Sequence, residues 1–282
     1  MRNSSLWLSD WSSRTMLLIR GGDGRDFLQR LSTNDMSELK SGPVRTVLAN
    51  EKGKIVDILA VAELEPDVLL MAGISKDLQT TKTWLEQFII MEDIKLEDAT
   101  GYRHILIGGD GEYAGPQQAI RYQDDWGRHY LAKGSTSGAW LEQAGRELQS
   151  MDEHSLDRYR IVKGIPEWHS ELSAEYNPLE ARLDGLVSWT KGCYIGQEVI
   201  ARLDTYKKVQ RVLVRLVLDA TCEVPSILFL DNSAVGALTS VTDGEDGKVY
   251  GVGYLKTSLA DGYPILKVGS IDGGISAKLR EH

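Results

Sequence analysis

The chain is poor in cysteine, poor in phenylalanine and free of long apolar runs. Two cysteines in 282 residues cannot build a disulfide framework; they allow one bridge at most and read more simply as reduced thiols in a cytoplasm. There is no CxxC, and the histidines at 104, 129, 154, 169 and 282 are scattered. A zinc site or a self-sufficient iron–sulfur site needs three or four convergent ligands, so no metal is expected. No stretch reaches the ~18 apolar residues of a membrane span. The opening "MRNSSLWLSDWSSR" lacks the apolar core of about 7–15 residues that marks a secretory signal. An excess of positive charge is missing too. At a net charge of −9, the surface repels phosphate backbones and anionic lipid, so neither a membrane nor duplex nucleic acid is an expected partner. "IRGGDGRDF" and "LIGGDGEYAG" are glycine-rich but lack the P-loop and dinucleotide spacings, and read as turns.

What is present fits an ordinary globular chain of two or three modules, with 42% hydrophobic and 26% charged residues. "TMLLIRG" reads as a buried strand, followed by a helix in "GDGRDFLQRLSTND", where Asp23 caps and Phe27, Leu28 and Leu31 share a face. "RTVLANEKGKIVDILAVAEL" reads as a hairpin turned by Asn50 and Gly53. "DVLLMAG" and "YRHILIGG" read as strands. "SKDLQTTKTWLEQFI" reads as an amphipathic helix capped by Ser75, with Leu78, Leu85 and Phe88 on its apolar side. "SGAWLEQAGRELQSM" reads as a helix. Another follows, opened by a Ser150/Glu153 capping box and stopped by Gly164 and Pro166. From about Val209 the texture becomes five short β runs between Asp/Gly/Asn/Ser turns, the pattern of a small barrel or sandwich. The expected class is α+β, with an α+β region over 1–204 and an all-β domain over 205–282.

Chemistry concentrates in "WTKGCYIGQEVIAR", Trp189 to Arg202. A lone cysteine is more often a small core hydrophobe than a reactive group. Its neighbours favour function. Gly192 and Gly196 allow a sharp bend or a close approach, and Lys191 lowers the thiol pKa if its amine lies near. Glu198 opposes that if it lies nearer. A cysteine-hydrolase reading needs a histidine partner, and His169 is the nearest in sequence without any spacing that forces proximity. Cys222, in "DATCEVP", reads as structural.

"KGCYIGQE" resembles the K-G-C-[FY]-x-G-Q-E signature of the YgfZ family of folate-binding proteins, within the superfamily of the glycine-cleavage T-protein, an aminomethyltransferase. "DFLQRLSTND", "NEKGKIVDILAV" and "YRIVKGIPE" resemble three further family segments in family order. The four span residues 26 to 202; the barrel-like tail matches in texture only. The resemblance implies a three-domain cloverleaf of the T-protein type with a C-terminal all-β barrel, in which 1–204 is a folate-binding region of two intertwined subdomains. It implies tetrahydrofolate or a derivative as cofactor, and a role in synthesis or repair of iron–sulfur clusters in client enzymes, tRNA-modifying enzymes among them. That makes the chain a maturation factor rather than a classical enzyme; the alternative is a folate-dependent aminomethyltransferase or related one-carbon transferase.

The resemblance carries Cys193 over as the functional thiol, with Lys191, Gly192, Tyr194, Gly196, Gln197 and Glu198 as its loop. Asn34, Asp57, Arg160 and Trp189 form the implied folate set. Each has a plain structural alternative: Asn34 and Asp35 as a turn, Asp57 as an outward strand residue, Arg160 as a helix-surface cation, Tyr194 as core. Lys207, Lys208 and Arg211 can meet RNA or a polyglutamate tail, or be a solvated edge. Two departures bear on activity. Many T-proteins place a pterin-holding glutamate where Val162 stands, and an acidic pair in the hairpin where this chain has Asp57 followed by isoleucine.

Overall fold

A computed structural model describes residues 6–262, 264–270 and 274–280. The first five residues of the opening stretch, and His282, lie outside the described residues. The chain forms two compact units that interleave along the sequence: residues 1–49, 56–152 and 186–195 make one, and 50–55, 153–185 and 196–282 the other.

The first unit contains strands β1 (Trp7–Asp10), β2 (Met16–Arg20), β3 (Val44–Ala49), β4 (Ile55–Glu65), β5 (Val68–Gly73), β6 (Lys95–Asp98), β7 (Tyr102–Gly108), β8 (Ile120–Gln123), β9 (Arg128–Lys133) and β10 (Gln149–Ser150). Its helices are α1 (Gly24–Leu31), α2 (Leu78–Glu86) and α3 (Gly134–Glu147). The strands build two five-stranded sheets, ordered β3-β4-β5-β2-β6 and β10-β1-β7-β9-β8. Alternation in β2 explains the layering. Leu17 and Ile19 join Phe27, Leu28 and Leu31 of α1 in one core, while Met16 and Leu18 join Leu131 of β9 in another. A third core, with Ile105, Ile107, Tyr130 and Ala144, lies between the second sheet and α3. A sheet buried on both faces needs near-continuous apolar strands, and "MLLIR" and "VLLMAG" supply them. Phe27 is fully buried; its truncation to alanine is expected to cost about 3–5 kcal/mol.

The second unit contains α4 (Glu153–Lys163), α5 (Gln197–Thr205) and strands β11 (Arg211–Leu218), β12 (Ser226–Leu230), β13 (Ser233–Asp243), β14 (Val249–Lys256), β15 (Ile265–Val268) and β16 (Ser276–Leu279). The six strands close into a barrel, in the order β11-β14-β13-β12-β15-β16, and every pairing is antiparallel. Closure leaves no edge strand, and Leu216, Leu228, Leu238, Leu255 and Leu266 fill the interior.

The α+β class with a C-terminal all-β barrel is therefore as expected, as are the hairpin and both middle helices. The hairpin turn works as its residues suggest. Asn50 Oδ1 accepts from the amides of Lys52 and Lys54, and Gly53 adopts φ 68°. Three helix starts differ. Asp23 sits at the α1 N-cap without capping, because its carboxylate accepts from the amide of Asp93 instead. The α2 cap is Asp77, accepting from Thr80 N at 3.1 Å, while the Ser75 hydroxyl accepts from Asp77 N. Ser150 is a strand residue paired with Leu8, two positions too early to cap α4. The barrel's sixth strand, Ser276–Leu279, lacks a strong apolar run and is not apparent in the sequence.

Candidate functional site

The signature loop, residues 186–195, is fastened to the end of α1. The Ser188 amide donates to Thr33 O at 2.9 Å, the Thr33 hydroxyl to Leu186 O at 2.7 Å, and the Ile195 amide to Arg30 O at 3.1 Å. Lys191 is the centre of the fastening. Its Nζ donates to the carbonyls of Gln29, Ser32 and Asn34 at 2.6, 2.7 and 2.8 Å. The last carbonyls of a helix lack partners within it and carry the negative end of its dipole, so a cation there satisfies both. All three ammonium protons are used. Burial pulls the amine down to about 8, against a small opposing pull from Asp35.

Cys193 lies just beyond this anchor, and its thiol is exposed. Lys191 is buried and its ammonium protons are spent on carbonyls: it holds the backbone that presents Cys193. Gly192 has open space where a side chain would sit. Tyr194 is buried, 5.3 Å from Lys191 Nζ to the ring centre, and burial pushes its hydroxyl up to about 12. It packs as core. Trp189 is 48% exposed, which leaves its ring available on the same loop. Gly196 needs its glycine: φ is 81°, and a Cβ would stand 2.5 Å from Asn50 O. It opens α5 in the barrel unit, followed by Gln197 and by Glu198, which pairs with Arg202 at 3.6 Å on the solvent side. His169 belongs to that same unit, its ring 5.8 Å from that of Trp168.

The implied folate residues have other commitments. Asn34 donates to Arg45 O and accepts from the amide of Asp35, and Asp35 accepts from Ser37 N and Gln29, with the Ser37 amide holding its pKa down. Both build the turn after α1. Asp57 points inward, correcting the outward alternative. It is fully buried and accepts from Ile58 N at 2.8 Å, Ser75 N at 3.1 Å and the Thr81 hydroxyl at 2.7 Å, tying β4 to the start of α2. Burial raises it to about 6. Arg160 is 2% exposed, not a helix-surface cation. It donates to Glu171 Oε2 at 2.8 Å, Ser240 Oγ at 2.8 Å and Asp157 Oδ1 at 2.6 Å. In the basic run, Lys207 pairs with Asp204 at 2.9 Å and Arg211 with Glu180 at 3.1 Å.

The structure also assembles what the sequence scatters. His104 Nε2 and His129 Nδ1 stand 2.9 Å apart, His129 Nε2 is 2.8 Å from Asp124 Oδ1, and the Tyr122 hydroxyl is 3.1 Å from His104 Nε2. Both histidines are buried, and burial drives His104 far below its usual range. Only the β7–β9 register brings residues 25 apart into one chain of polar contacts, and register between distant strands has no local signal. Among the described residues, no group of three or more His, Cys, Asp or Glu is placed to hold a metal. Among the described residues, no helix is long and apolar enough to cross a membrane.

Residues 2–109 match the family described as the GCVT N-terminal domain. The chloroplastic protein At1g60990 of Arabidopsis thaliana, provisionally named a transferase, is 33% identical over 194 residues, covering 67% of this chain and 45% of that protein. An aminomethyltransferase of Prosthecochloris aestuarii is 24% identical over 237 residues, covering 71% of this chain and 65% of the enzyme. The chain thus spans less than half of the first relative and just under two thirds of the second. The crystal structure of the glycine cleavage system aminomethyltransferase T from Bartonella henselae superposes with a TM-score of 0.82, at 18% identity, over 99% of this chain and 86% of that one. The fold is that of the T-protein.

Proposed function

We propose that this protein is a folate-binding accessory factor for synthesis or repair of iron–sulfur clusters in a subset of enzymes, working through the Cys193 thiol. The observation that carries the reading is an exposed cysteine presented by a loop that a buried ammonium fixes in place. A thiol is a ligand and nucleophile only when a partner can reach it, and this one is reachable.

The T-protein fold supports tetrahydrofolate or a derivative as the bound partner. The carboxylates that T-proteins turn on the pterin do not fit here. Asp57 is sealed in the first unit with three intrachain donors, and Val162 offers no carboxylate. Folate is therefore given no reacting part. Each lost acceptor removes about 1 kcal/mol of net hydrogen bonding from the pterin ring, which favours binding without aminomethyl transfer.

The second reading, a folate-dependent aminomethyltransferase, draws on the names of the bacterial relatives. A third is a scaffold for a partner protein that has lost the folate. The cytoplasm is the proposed compartment; the chloroplastic relative makes the plastid the competing one.

Complementation tests the leading reading. In cells lacking the protein, Cys193→Ala is expected to leave cluster-dependent client activities unrestored, while the wild type restores them. Full rescue by Cys193→Ala refutes the thiol role. Methylenetetrahydrofolate formed from an aminomethyl donor by the purified protein selects the transferase instead. A melting temperature indifferent to reduced folates selects the scaffold, since a ligand at a hundred times its Kd adds about 2.7 kcal/mol.

A further inference from the structure

We infer a second binding site, for a small dianion such as an organic diphosphate or dicarboxylate, in the cavity under the glycine-rich loop of the second sheet. The cavity is about 690 Å³, within the range of small-molecule sites. Strand β8 is the edge of its sheet and pairs with β9 in the register Arg121↔Tyr130 and Gln123↔Arg128. Side chains at alternate positions share a face, so Arg121, Gln123, Arg128 and Tyr130 stand on the same side. Arg121 and Arg128 form the diagonal of that set, about 7–8 Å apart at the backbone. Both line the cavity.

Neither arginine has an acid partner among the described residues. The Arg121 guanidinium sits 5.8 Å from the Tyr130 ring centre, and Glu112, the acid lining the cavity, makes no ion pair there. In a chain of net charge −9, two cations left uncompensated on one face are a local reversal of sign. A guanidinium presents a planar fork of donors that matches phosphate or carboxylate oxygens two at a time. Two such forks on a diagonal suit a ligand with two anionic groups better than a single small ion.

The Tyr113–Ala114 side of the cavity is held in place by hydrogen bonds. The Tyr130 hydroxyl donates to Tyr113 O at 3.0 Å, Trp140 Nε1 to Ala114 O at 2.8 Å, and the Tyr113 hydroxyl to Glu147 at 2.7 Å. Gly115 lets the loop lie against the Tyr130 ring, where a Cβ would stand 1.9 Å from a ring carbon. A fixed wall in the same cavity as two cations lowers the ordering cost of binding. This site uses none of the residues around Cys193.

The test is calorimetric titration of the full chain with inorganic pyrophosphate and with glutarate, at matched ionic strength, beside orthophosphate and acetate as single-group controls. One dianion is expected to bind saturably, about tenfold or more tighter than its single-group control. Arg121→Gln and Arg128→Gln are each expected to weaken it about tenfold. Their melting temperatures should stay at the wild-type value, because neither side chain has an intrachain ion pair to lose. Preference for pyrophosphate identifies a phosphate ester as the natural ligand class; preference for glutarate identifies a polycarboxylate. The inference fails if neither probe saturates at millimolar concentration, or if the double variant binds like the wild type.

Discussion

In the unit that carries Cys193, the buried ammonium of Lys191 meets three backbone carbonyls, and the buried carboxylate of Asp57 meets two backbone amides and the Thr81 hydroxyl. In the barrel unit, the buried guanidinium of Arg160 meets the buried carboxylate of Glu171 directly, and Thr239, Ser240 and Glu167 N complete the set around that carboxylate. Neutral partners satisfy hydrogen bonds without cancelling charge. The desolvation cost then remains in the protonation equilibrium, and Asp57 rises to about 6 while Lys191 falls to about 8. In the barrel unit an opposite charge stands at 2.8 Å instead. The first unit is thus sensitive to pH near neutrality at the residues that shape the candidate site, whereas the barrel's polar core is sensitive to the loss of a partner.

The barrel side of this contrast predicts the largest effect. Glu171→Ala removes the buried carboxylate facing the Arg160 guanidinium and the acceptor of the Ser240 hydroxyl, leaving Arg160 with Asp157 and Thr239 with Val252 O, and is expected to cost about 3–5 kcal/mol. Urea denaturation measures it. A loss below 1 kcal/mol, the scale of an exposed pair, would show that Arg160 finds compensation elsewhere and would erase the distinction.

Glu171 also shows where sequence reading stops. Fold class, barrel, hairpin turn and signature loop are legible because each is written in a local pattern: period-2 runs, Asn50 with Gly53, the spacing around Cys193. Glu171 sits in irregular chain between α4 and α5, and its two hydroxyl partners are 68 and 69 residues away on β13. The same holds for Lys191. "KGC" announces a lysine beside a thiol, but only the path of the loop over the end of α1 shows that the amine serves the backbone. Asp57 was legible as a costly carboxylate, yet not as a tie between a strand and a helix, because Ser75 and Thr81 reach it through tertiary packing. Local signals locate a site; long-range register decides what its residues do.

The next effect belongs to Asp57. Its folded pKa, about 6, lies above the unfolded value of ~3.9. Stability from this group is fully present below that unfolded value and is lost as pH rises through about 6. The loss is on the order of 2–3 kcal/mol. Asp57→Asn keeps acceptor and donor capacity without a charge. The variant is therefore expected to be as stable as the wild type or more so at pH 7, and to lack this part of the pH slope between about 4 and 6. Denaturation across that range decides, and an unchanged slope would refute the assignment.

Lys191→Met comes third. It orphans three carbonyls but removes a buried cation, so the net loss is expected at about 1–2 kcal/mol, in the lower part of the usual range for unsatisfied groups. The fastening of the loop should loosen with it, and Cys193 should show altered alkylation kinetics at unchanged global fold. Unaltered stability and kinetics together would mean that the backbone bonds of Ser188 and Ile195 hold the loop unaided.

The smallest effect is on labelling rather than stability, and it separates the two cysteines as the two buried charges were separated. Cys193 is exposed in the first unit; Cys222 is half-buried against the barrel core, where burial raises its thiol pKa and lowers its thiolate fraction. Under limiting iodoacetamide at neutral pH, Cys193 is expected to be modified several-fold faster, and peptide mapping reads the ratio directly. Cys222→Ser should leave the Cys193 rate unchanged. Protection of Cys193 by tetrahydrofolate would then put the ligand beside the thiol, while equal rates at both cysteines would remove the accessibility on which the proposed function stands.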